Sequence, residues 1–111
     1  GPAYAIPKCL KGAGMTFSDV DYWEINEAFA AQFLGAGRKL KENHGWTVDL
    51  ERTNVNGSGI SLGHPIGCTG MRILVTMLYA MQRQGTTIGG TSMCVGGGPS
   101  MASLWTLDCG F

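Results

Sequence analysis

Three stretches of this chain place apolar residues three or four positions apart, which is the spacing of an amphipathic helix. The first predicts a helix over residues 3–13, the second a helix of about sixteen residues beginning at Glu27, and the third a helix over residues 68–84. Glycine follows the first and third stretches, and the polar run 43–45 ends the second. The second helix has one apolar face, formed by Phe29, Phe33, Ala36 and Leu40.

Bulky and β-branched residues predict three strands. Residues 22–25 form a short strand that delivers Asn26 to its end, and residues 86–95 and 102–108 form a hairpin with its turn at 96–100. Residues 54–62 are too rich in glycine and asparagine for a strand. Because 111 residues suffice for one small core, we expect a single α/β domain, or a fragment of one, over residues 1–111.

The charge balance excludes two classes of partner. Eight lysines and arginines offset eight aspartates and glutamates, and the basic cluster at 38–41 is typical of the solvated face of a helix. We therefore expect neither nucleic acid nor a membrane surface as a partner. The chain has no run of about 18 apolar residues and no signal-peptide pattern at its start, which predicts a soluble, intracellular location.

The cysteines do not suggest a metal site or a disulfide framework. They are scattered, no CxxC pair is present, and no second cluster of histidines accompanies them; they are Cys9, Cys68, Cys94 and Cys109. This distribution favours a reducing compartment. Three of them are assigned to packing or to the surface, and only the surroundings of Cys94 point to chemistry.

His64 is the first candidate for chemistry, because an imidazole can act as a base or as a hydrogen-bond donor near neutral pH. A lone histidine is most often a surface residue or a satisfied core residue. Here it stands between Gly63 and Pro65, and the proline restricts the backbone of His64 to extended geometry just before a helix. This setting favours a shaped pocket. The second histidine, His44, lies at a polar helix end and is assigned no function.

Cys94 and Asn26 each leave two interpretations open. Cys94 ends a predicted strand before three glycines, so it is either a small buried apolar residue or a thiol that moves protons beside backbone N–H groups able to bind an oxyanion. Asn26 lies where a strand meets a helix. It is either an N-cap, which local evidence favours, or a side chain that holds a water for the pocket.

Three motifs together resemble those of the thiolase family. Residues 26–30 read NEAFA, residues 54–67 read NVNGSGISLGHPIG, and residues 94–98 read CVGGG. They are similar to the family motifs NEAFA, NxNGGAxxLGHPxG and CxGGG, and they occur in the same order over most of the chain. Small departures occur at 58–59 and 99–100, and neither removes a chemical group that the motifs supply.

The resemblance implies acyl transfer between CoA thioesters, either condensation of two acyl-CoA molecules to a 3-oxoacyl-CoA or the reverse thiolysis. It implies that Cys94 is the acid/base that removes a proton from the α-carbon of the second thioester and returns one to CoA thiolate, and that His64 activates the nucleophilic cysteine and donates to the thioester oxygen. It further implies that Asn26 holds a water in that oxyanion hole, that the backbone N–H of Gly96 contributes to a second one, and that Phe29 packs beside the pantetheine arm. No cofactor is implied beyond the CoA substrates.

The family's nucleophile lies on a separate N-terminal domain, and no segment of this chain resembles its loop. Cys68 occupies a variable position of the GHPxGxxG signature and is not expected to replace it. The isolated chain is therefore expected to be inactive. Covalent catalysis of this kind needs the missing group.

The resemblance also implies the fold: a partial C-terminal βαβαβαββ unit, lacking its first strands, in a layered thiolase-like arrangement. The absent strands are expected between the strand at 22–25 and the hairpin, so these strands would not form one continuous sheet. Expected partners are acyl-CoA and either a second copy, by strand exchange, or the missing thiolase half. The location is expected to be cytoplasmic, with mitochondria and peroxisomes left open.

Two alternatives remain at this stage. One is a non-catalytic CoA-binding or scaffold fragment that retains the motifs. The other is a ketoacyl synthase, which shares the fold but pairs a cysteine with two histidines. Because Cys94 stands where that family has its second histidine, the sequence favours a thiolase.

Overall fold

The computed structural model describes residues 1–96 and 98–108, in which three strands form one mixed sheet between helices. The predictions for Gly97 and Cys109 concern residues outside these two ranges. The longer elements are α1 (Pro2–Ala13), β1 (Tyr22–Ile25), α2 (Ala30–His44), α4 (Thr69–Gln84), β2 (Ile88–Cys94) and β3 (Ser100–Thr106), and a single turn, α3 (Gly59–Leu62), precedes the loop that carries His64.

The predicted helix ends are confirmed, because each of the three long helices stops at a glycine in the left-handed conformation. Gly14, Gly45 and Gly85 have φ values of 67°, 71° and 71°, which glycine adopts without steric strain. The predicted start of α2 at Glu27 was wrong by three residues. Phe29 is extended, with φ −144° and ψ 148°, so the helix begins only at Ala30.

The expectation of a discontinuous sheet was also wrong. β1 pairs directly with β2 in parallel, from Tyr22 opposite Gly89 to Ile25 opposite Ser92. α4 packs on both strands and forms the crossover between them, so no further strand is needed to join them. The predicted hairpin is confirmed: β2 and β3 are antiparallel, from Ile88 opposite Thr106 to Cys94 opposite Ser100.

Alternate residues of β1 supply two cores on opposite faces of the sheet. On the side of α1 and α2, the buried apolar residues are Ala3, Ile6, Leu10, Phe17, Val20, Trp23, Ile25 and Leu40. On the side of α4, they are Tyr22, Met77, Ala80 and Met81. Helices therefore pack on both faces of the sheet, and the ends of its strands remain available to form a site.

A buried carboxyl group lies on the α4 side of β1. Glu24 is fully buried, it accepts a 2.6 Å hydrogen bond from the Tyr22 hydroxyl, and its Oε1 is 4.0 Å from Nη1 of Arg72. The Tyr22 hydroxyl in turn accepts a hydrogen bond from the backbone N–H of Val55. This chain of contacts connects β1 to the segment that leads to His64.

Glu24 should make the stability of the domain depend on pH. Burial raises the pKa of Glu24 to about 7 from its ordinary value of 4.5. The folded state therefore binds more protons than the unfolded state between these values, so stability falls as the pH rises through this window and the loss is complete above it. The shift corresponds to about 3 kcal/mol. Glu24→Gln should abolish this slope.

Urea denaturation at pH 5 and pH 8 measures the effect. From pH 5 to pH 8 we expect the unfolding free energy of the wild type to fall by about 2–3 kcal/mol more than that of Glu24→Gln. Glu51→Gln, which alters an exposed carboxylate, is the control and should keep the wild-type slope. Parallel slopes for wild type and Glu24→Gln would contradict the assignment.

Candidate functional site

The carboxyl end of β2 opens into a pocket of about 710 Å³. The loop before α4, the start of α2 and the turn after β2 surround it. Four of the five predicted site residues line this pocket: His64, Cys94, Gly96 and Phe29. The complete lining is Gly1, Ala28, Phe29, Gln32, His64, Ile66, Gly67, Met93, Cys94, Val95, Gly96 and Gly98.

His64 lies on the loop between α3 and α4 and is exposed. Two glycines with positive φ shape this loop, Gly63 at 102° and Gly67 at 81°. The ring is held at one nitrogen: Nδ1 lies 2.7 Å from Oγ1 of Thr69. Nε2 makes no hydrogen bond within the residues that the structure describes. The ring therefore has one anchored nitrogen and one that is available to a ligand or to a partner.

Cys94 is the last residue of β2, and its thiol is partly buried and not in a disulfide. The turn that follows is closed by a 2.7 Å hydrogen bond from the Val95 N–H to the Pro99 carbonyl. Gly96 is exposed in this turn and lines the pocket together with Cys94. Cys94 is therefore not a fully buried core residue, and it is not isolated from the pocket.

Asn26 lies behind the pocket rather than on its wall. Its side chain is fully buried, and among the described residues neither amide atom, Oδ1 or Nδ2, has a hydrogen-bond partner. The backbone N–H of Asn26 continues the ladder of β1 by donating to the Ser92 carbonyl at 2.9 Å. Asn26 is not the N-cap of α2, so the interpretation that local evidence favoured was wrong.

The segment 57–59 packs against Asn26. Ser58 is fully buried, and its hydroxyl accepts a 3.4 Å hydrogen bond from the Glu27 N–H. A Cβ at Gly59 would lie 3.0 Å from Oδ1 of Asn26. The NEAFA segment and the asparagine-rich segment before His64 are therefore in contact, although 31 positions separate the residues of this hydrogen bond.

Phe29 lies at the rim of the pocket with 73% of its surface exposed. Ile66, between Pro65 and Gly67, is 98% exposed and also lines the pocket. Aromatic and aliphatic side chains that are this exposed are unfavourable in water unless a ligand or another protein surface covers them. The sequence analysis identified Phe29 and missed Ile66, Gln32 and Thr69, whose positions carry no periodic signal.

The remaining sequence-based assignments concern cysteine, metal and membrane. Cys9 and Cys68 form no disulfide, and His44 stacks on Trp46 at 4.6 Å between ring centroids. Over residues 1–96 and 98–108, no group of three or more histidine, cysteine, aspartate or glutamate side chains is placed to hold a metal ion. No helix within these ranges has the length and apolar character required to cross a membrane.

Comparisons of the sequence with known proteins identify the relatives of this chain. The family described as "Thiolase, C-terminal domain" matches residues 1–106. The chain is 50% identical over 104 residues to the acetyl-CoA acetyltransferase of Escherichia coli (strain K12), covering 94% of this chain and 25% of that protein. It is 47% identical over 105 residues to the 3-ketoacyl-CoA thiolase of Hahella chejuensis, covering 95% and 26%.

Solved structures give the same result. The acetyl-CoA acetyltransferase of Syntrophomonas wolfei superposes with a TM-score of 0.95 at 62% identity, covering 98% of this chain and 28% of that one. The peroxisomal 3-ketoacyl-CoA thiolase of Saccharomyces cerevisiae superposes with a TM-score of 0.83 at 44% identity, covering 97% and 29%. That structure is described as five-layered and built from two core domains of identical topology. This chain spans about a quarter of the length of the curated relatives.

Proposed function

This chain belongs to the thiolase family, and on that premise we propose that it supplies proton transfer and oxyanion binding for acyl transfer between CoA thioesters. The reaction is condensation of two acyl-CoA molecules to a 3-oxoacyl-CoA and CoA, or its reversal by thiolysis. The observation that carries this proposal is the single pocket that contains His64, Cys94, Phe29 and the Gly96 turn. The relatives named acetyl-CoA acetyltransferase and 3-ketoacyl-CoA thiolase support it.

In this proposal Cys94 breaks the α-carbon C–H bond of the second thioester. The Cys94 thiol first gives its proton to the CoA thiolate that acyl transfer releases. The resulting Cys94 thiolate then takes the α-proton, and the electron pair of that C–H bond moves to the carbon and the thioester oxygen. The resulting carbanion attacks the acyl carbon carried by the nucleophilic cysteine of the other domain. The sulfur of that cysteine leaves as a thiolate. Positioned acid/base groups of this kind contribute about 10²–10⁴-fold in rate.

His64 and Asn26 stabilise the negative oxygen that forms in this step. His64 takes the proton of the nucleophilic cysteine during acyl transfer, so its imidazolium can then donate to the thioester oxygen. The unpartnered amide of Asn26 supports the second donor, a water. A buried amide left unsatisfied costs about 1–3 kcal/mol, and a bound water with other polar neighbours would remove that cost.

The nucleophile must come from another domain, and the surface of α4 supports its docking. Met71, Val75 and Tyr79 recur every fourth residue on α4 and are 63%, 44% and 53% exposed. An apolar helix face of this kind is normally covered. The two stacked core domains of the Saccharomyces cerevisiae structure suggest the occupant. We therefore place the N-terminal core domain here, and a second copy of the chain is the alternative.

A cytoplasmic location is also part of the proposal. The unpaired state of Cys9, Cys68 and Cys94 suits a reducing compartment. The relatives do not decide it, since they include bacterial enzymes and enzymes named peroxisomal. Fractionation of cells that express the whole protein separates the cytoplasmic location from the mitochondrial and peroxisomal ones.

A chimeric protein, called here the assembled enzyme, tests the function. It joins this chain to the N-terminal three quarters of the Escherichia coli acetyl-CoA acetyltransferase, in place of the matching C-terminal quarter. We expect the assembled enzyme to condense acetyl-CoA and to cleave acetoacetyl-CoA, and we expect the isolated chain to do neither. The measurement is the appearance or loss of acetoacetyl-CoA absorbance.

The same assay separates the enzyme from a scaffold. A non-catalytic CoA-binding fragment would bind the N-terminal part and CoA, yet the assembled enzyme would show no turnover. The control is the assembled enzyme with its nucleophilic cysteine replaced by alanine, which should be inactive in both directions. A soluble, folded assembled enzyme without activity would overturn the proposal.

A further inference from the structure

We propose that Thr69 is a positioning residue for His64, which fixes the orientation of its ring and selects the tautomer that leaves Nε2 unprotonated. The proposal rests on the function proposed above and deepens it, because it explains how one exposed histidine can act first as a base and then as a donor. Thr69 is the first residue of α4, and it is 1% exposed.

Two hydrogen-bond distances carry the proposal. Oγ1 of Thr69 is 2.7 Å from Nδ1 of His64 and 2.9 Å from the carbonyl oxygen of Pro65. A hydroxyl has one proton to donate and lone pairs with which to accept. When it donates to the Pro65 carbonyl, it can only accept from the ring, so the proton of the neutral imidazole lies on Nδ1 and Nε2 is free to act as a base.

The arrangement also suits the protonated ring. When Nε2 takes the proton of the nucleophilic cysteine, the Nδ1–H keeps its bond to Thr69, and the new Nε2–H becomes a donor to the thioester oxygen. No partner has to rotate between the two steps. Electrostatic stabilisation by donors that need no reorganisation is the most effective form.

The loop by itself gives His64 little restraint. The side chain is exposed, and the flanking glycines Gly63 and Gly67 both adopt positive φ. Thr69, by contrast, is buried, β-branched and within the first turn of a long helix, so its own side-chain torsion is restricted. The hydrogen bond therefore transfers the rigidity of α4 to the ring.

Thr69→Val tests the proposal because valine keeps the branched shape and loses only the hydroxyl. The Pro65 carbonyl stays satisfied, since the N–H groups of Cys68 and residue 69 also donate to it, each at 3.1 Å. In the assembled enzyme we expect kcat for condensation to fall about 10- to 100-fold, the range that applies to groups orienting metal-binding histidines. KM for acetyl-CoA should stay within about twofold, and Thr69→Ser should restore kcat to within about threefold of the wild type.

Thr76→Val is the matched control. The Thr76 hydroxyl donates to the carbonyl four residues earlier, that of Arg72, at 2.9 Å, which repeats the bond from Thr69 to Pro65 on the same helix. It does not contact His64. This variant should therefore retain the wild-type kcat, because it removes the same helical hydrogen bond without touching the ring.

A spectroscopic readout separates this inference from the proposed function. In the ¹⁵N imidazole spectrum of the assembled enzyme, with the His64 signals assigned by their loss in His64→Asn, we expect the Nδ1–H tautomer. We expect Thr69→Val to shift the population toward Nε2–H. Unchanged His64 signals in Thr69→Val, or an Nε2–H tautomer in the wild type, would overturn the positioning role even in an active enzyme. An assembled enzyme that keeps Thr69 and His64, shows the expected spectra and has no activity would refute the proposed function alone.

Discussion

Cys94→Ala in the assembled enzyme is expected to reduce the condensation of acetyl-CoA by about 10²–10⁴-fold, the contribution of one well-placed acid/base group. Cys94 lies in the same pocket as His64, at the end of β2, and within residues 1–96 and 98–108 no other cysteine lines the wall. Acyl transfer to the nucleophilic cysteine uses His64 to remove the proton of that cysteine, and Cys94 only returns a proton to the CoA that has already left as a thiolate, a proton that water can supply in the variant. Acyl transfer should therefore survive, and a first equivalent of CoA should still be released when the variant is mixed with acetyl-CoA.

Two measurements locate the defect. Exchange of the α-protons of acetyl-CoA with deuterated water reports proton removal directly, and Cys94→Ala should lose it along with condensation. Cys68→Ala is the matched control: this thiol is exposed at the start of α4 and does not line the pocket, so its loss should leave both rates unchanged. A large loss in Cys68→Ala with normal rates in Cys94→Ala would reverse the assignment of the two cysteines.

The helices could be predicted closely because their ends are local features. The left-handed glycines Gly14, Gly45 and Gly85 stop the three long helices, and a single residue type marks each position. The start of α2 could not be predicted in the same way. Its N-cap is Phe29, which makes no side-chain capping bond to any described residue, so the usual polar signal is missing.

The sheet pairing was harder to predict because it is not local. β1 and β2 are separated along the chain by α2, the single turn α3, α4 and a long loop, and what brings them together is the fit between their side chains. The two glycines at 89 and 90 on β2 are, by residue type alone, weak strand formers. In the structure they admit the methionines of α4 on one face and the Trp23 ring on the other.

The site residues divide in the same way, between those that a local motif predicts and those that depend on contacts with distant segments. The resemblance to the thiolase motifs predicted His64, Cys94, Gly96 and Phe29, and all four line the pocket. Local reasoning misplaced Asn26 as a cap because a strand end followed by a helix pattern favours one, while its burial depends on contact with the distant segment at 58–59. The contact from Thr69 to His64 spans five positions across a loop, which follows no helical or strand period.

Gly90 is an interior position that has no room for added volume, and Gly90→Ala is expected to lower the free energy of unfolding by about 3 kcal/mol, the upper end for overpacking. Its new Cβ would lie 2.5 Å from Cε3 of the Trp23 ring. That ring is 2% exposed and stacks on Phe17 at 5.1 Å between centroids, so it cannot move away from the new methyl group without disturbing this packing. Urea denaturation followed by far-UV circular dichroism measures the loss.

Gly89→Ala is the comparison that isolates the cause. Its Cβ would point to the opposite face, toward the thioether sulfurs of Met77 and Met81, the former at 2.6 Å. Methionine side chains are flexible and can repack, so this change should cost only about 1 kcal/mol. Trp23→Leu combined with Gly90→Ala should cost less than the sum of the single changes, because the smaller side chain leaves room for the new methyl group. Equal losses at 89 and 90, with strict additivity in the double variant, would contradict the assignment of the loss at position 90 to the Trp23 contact.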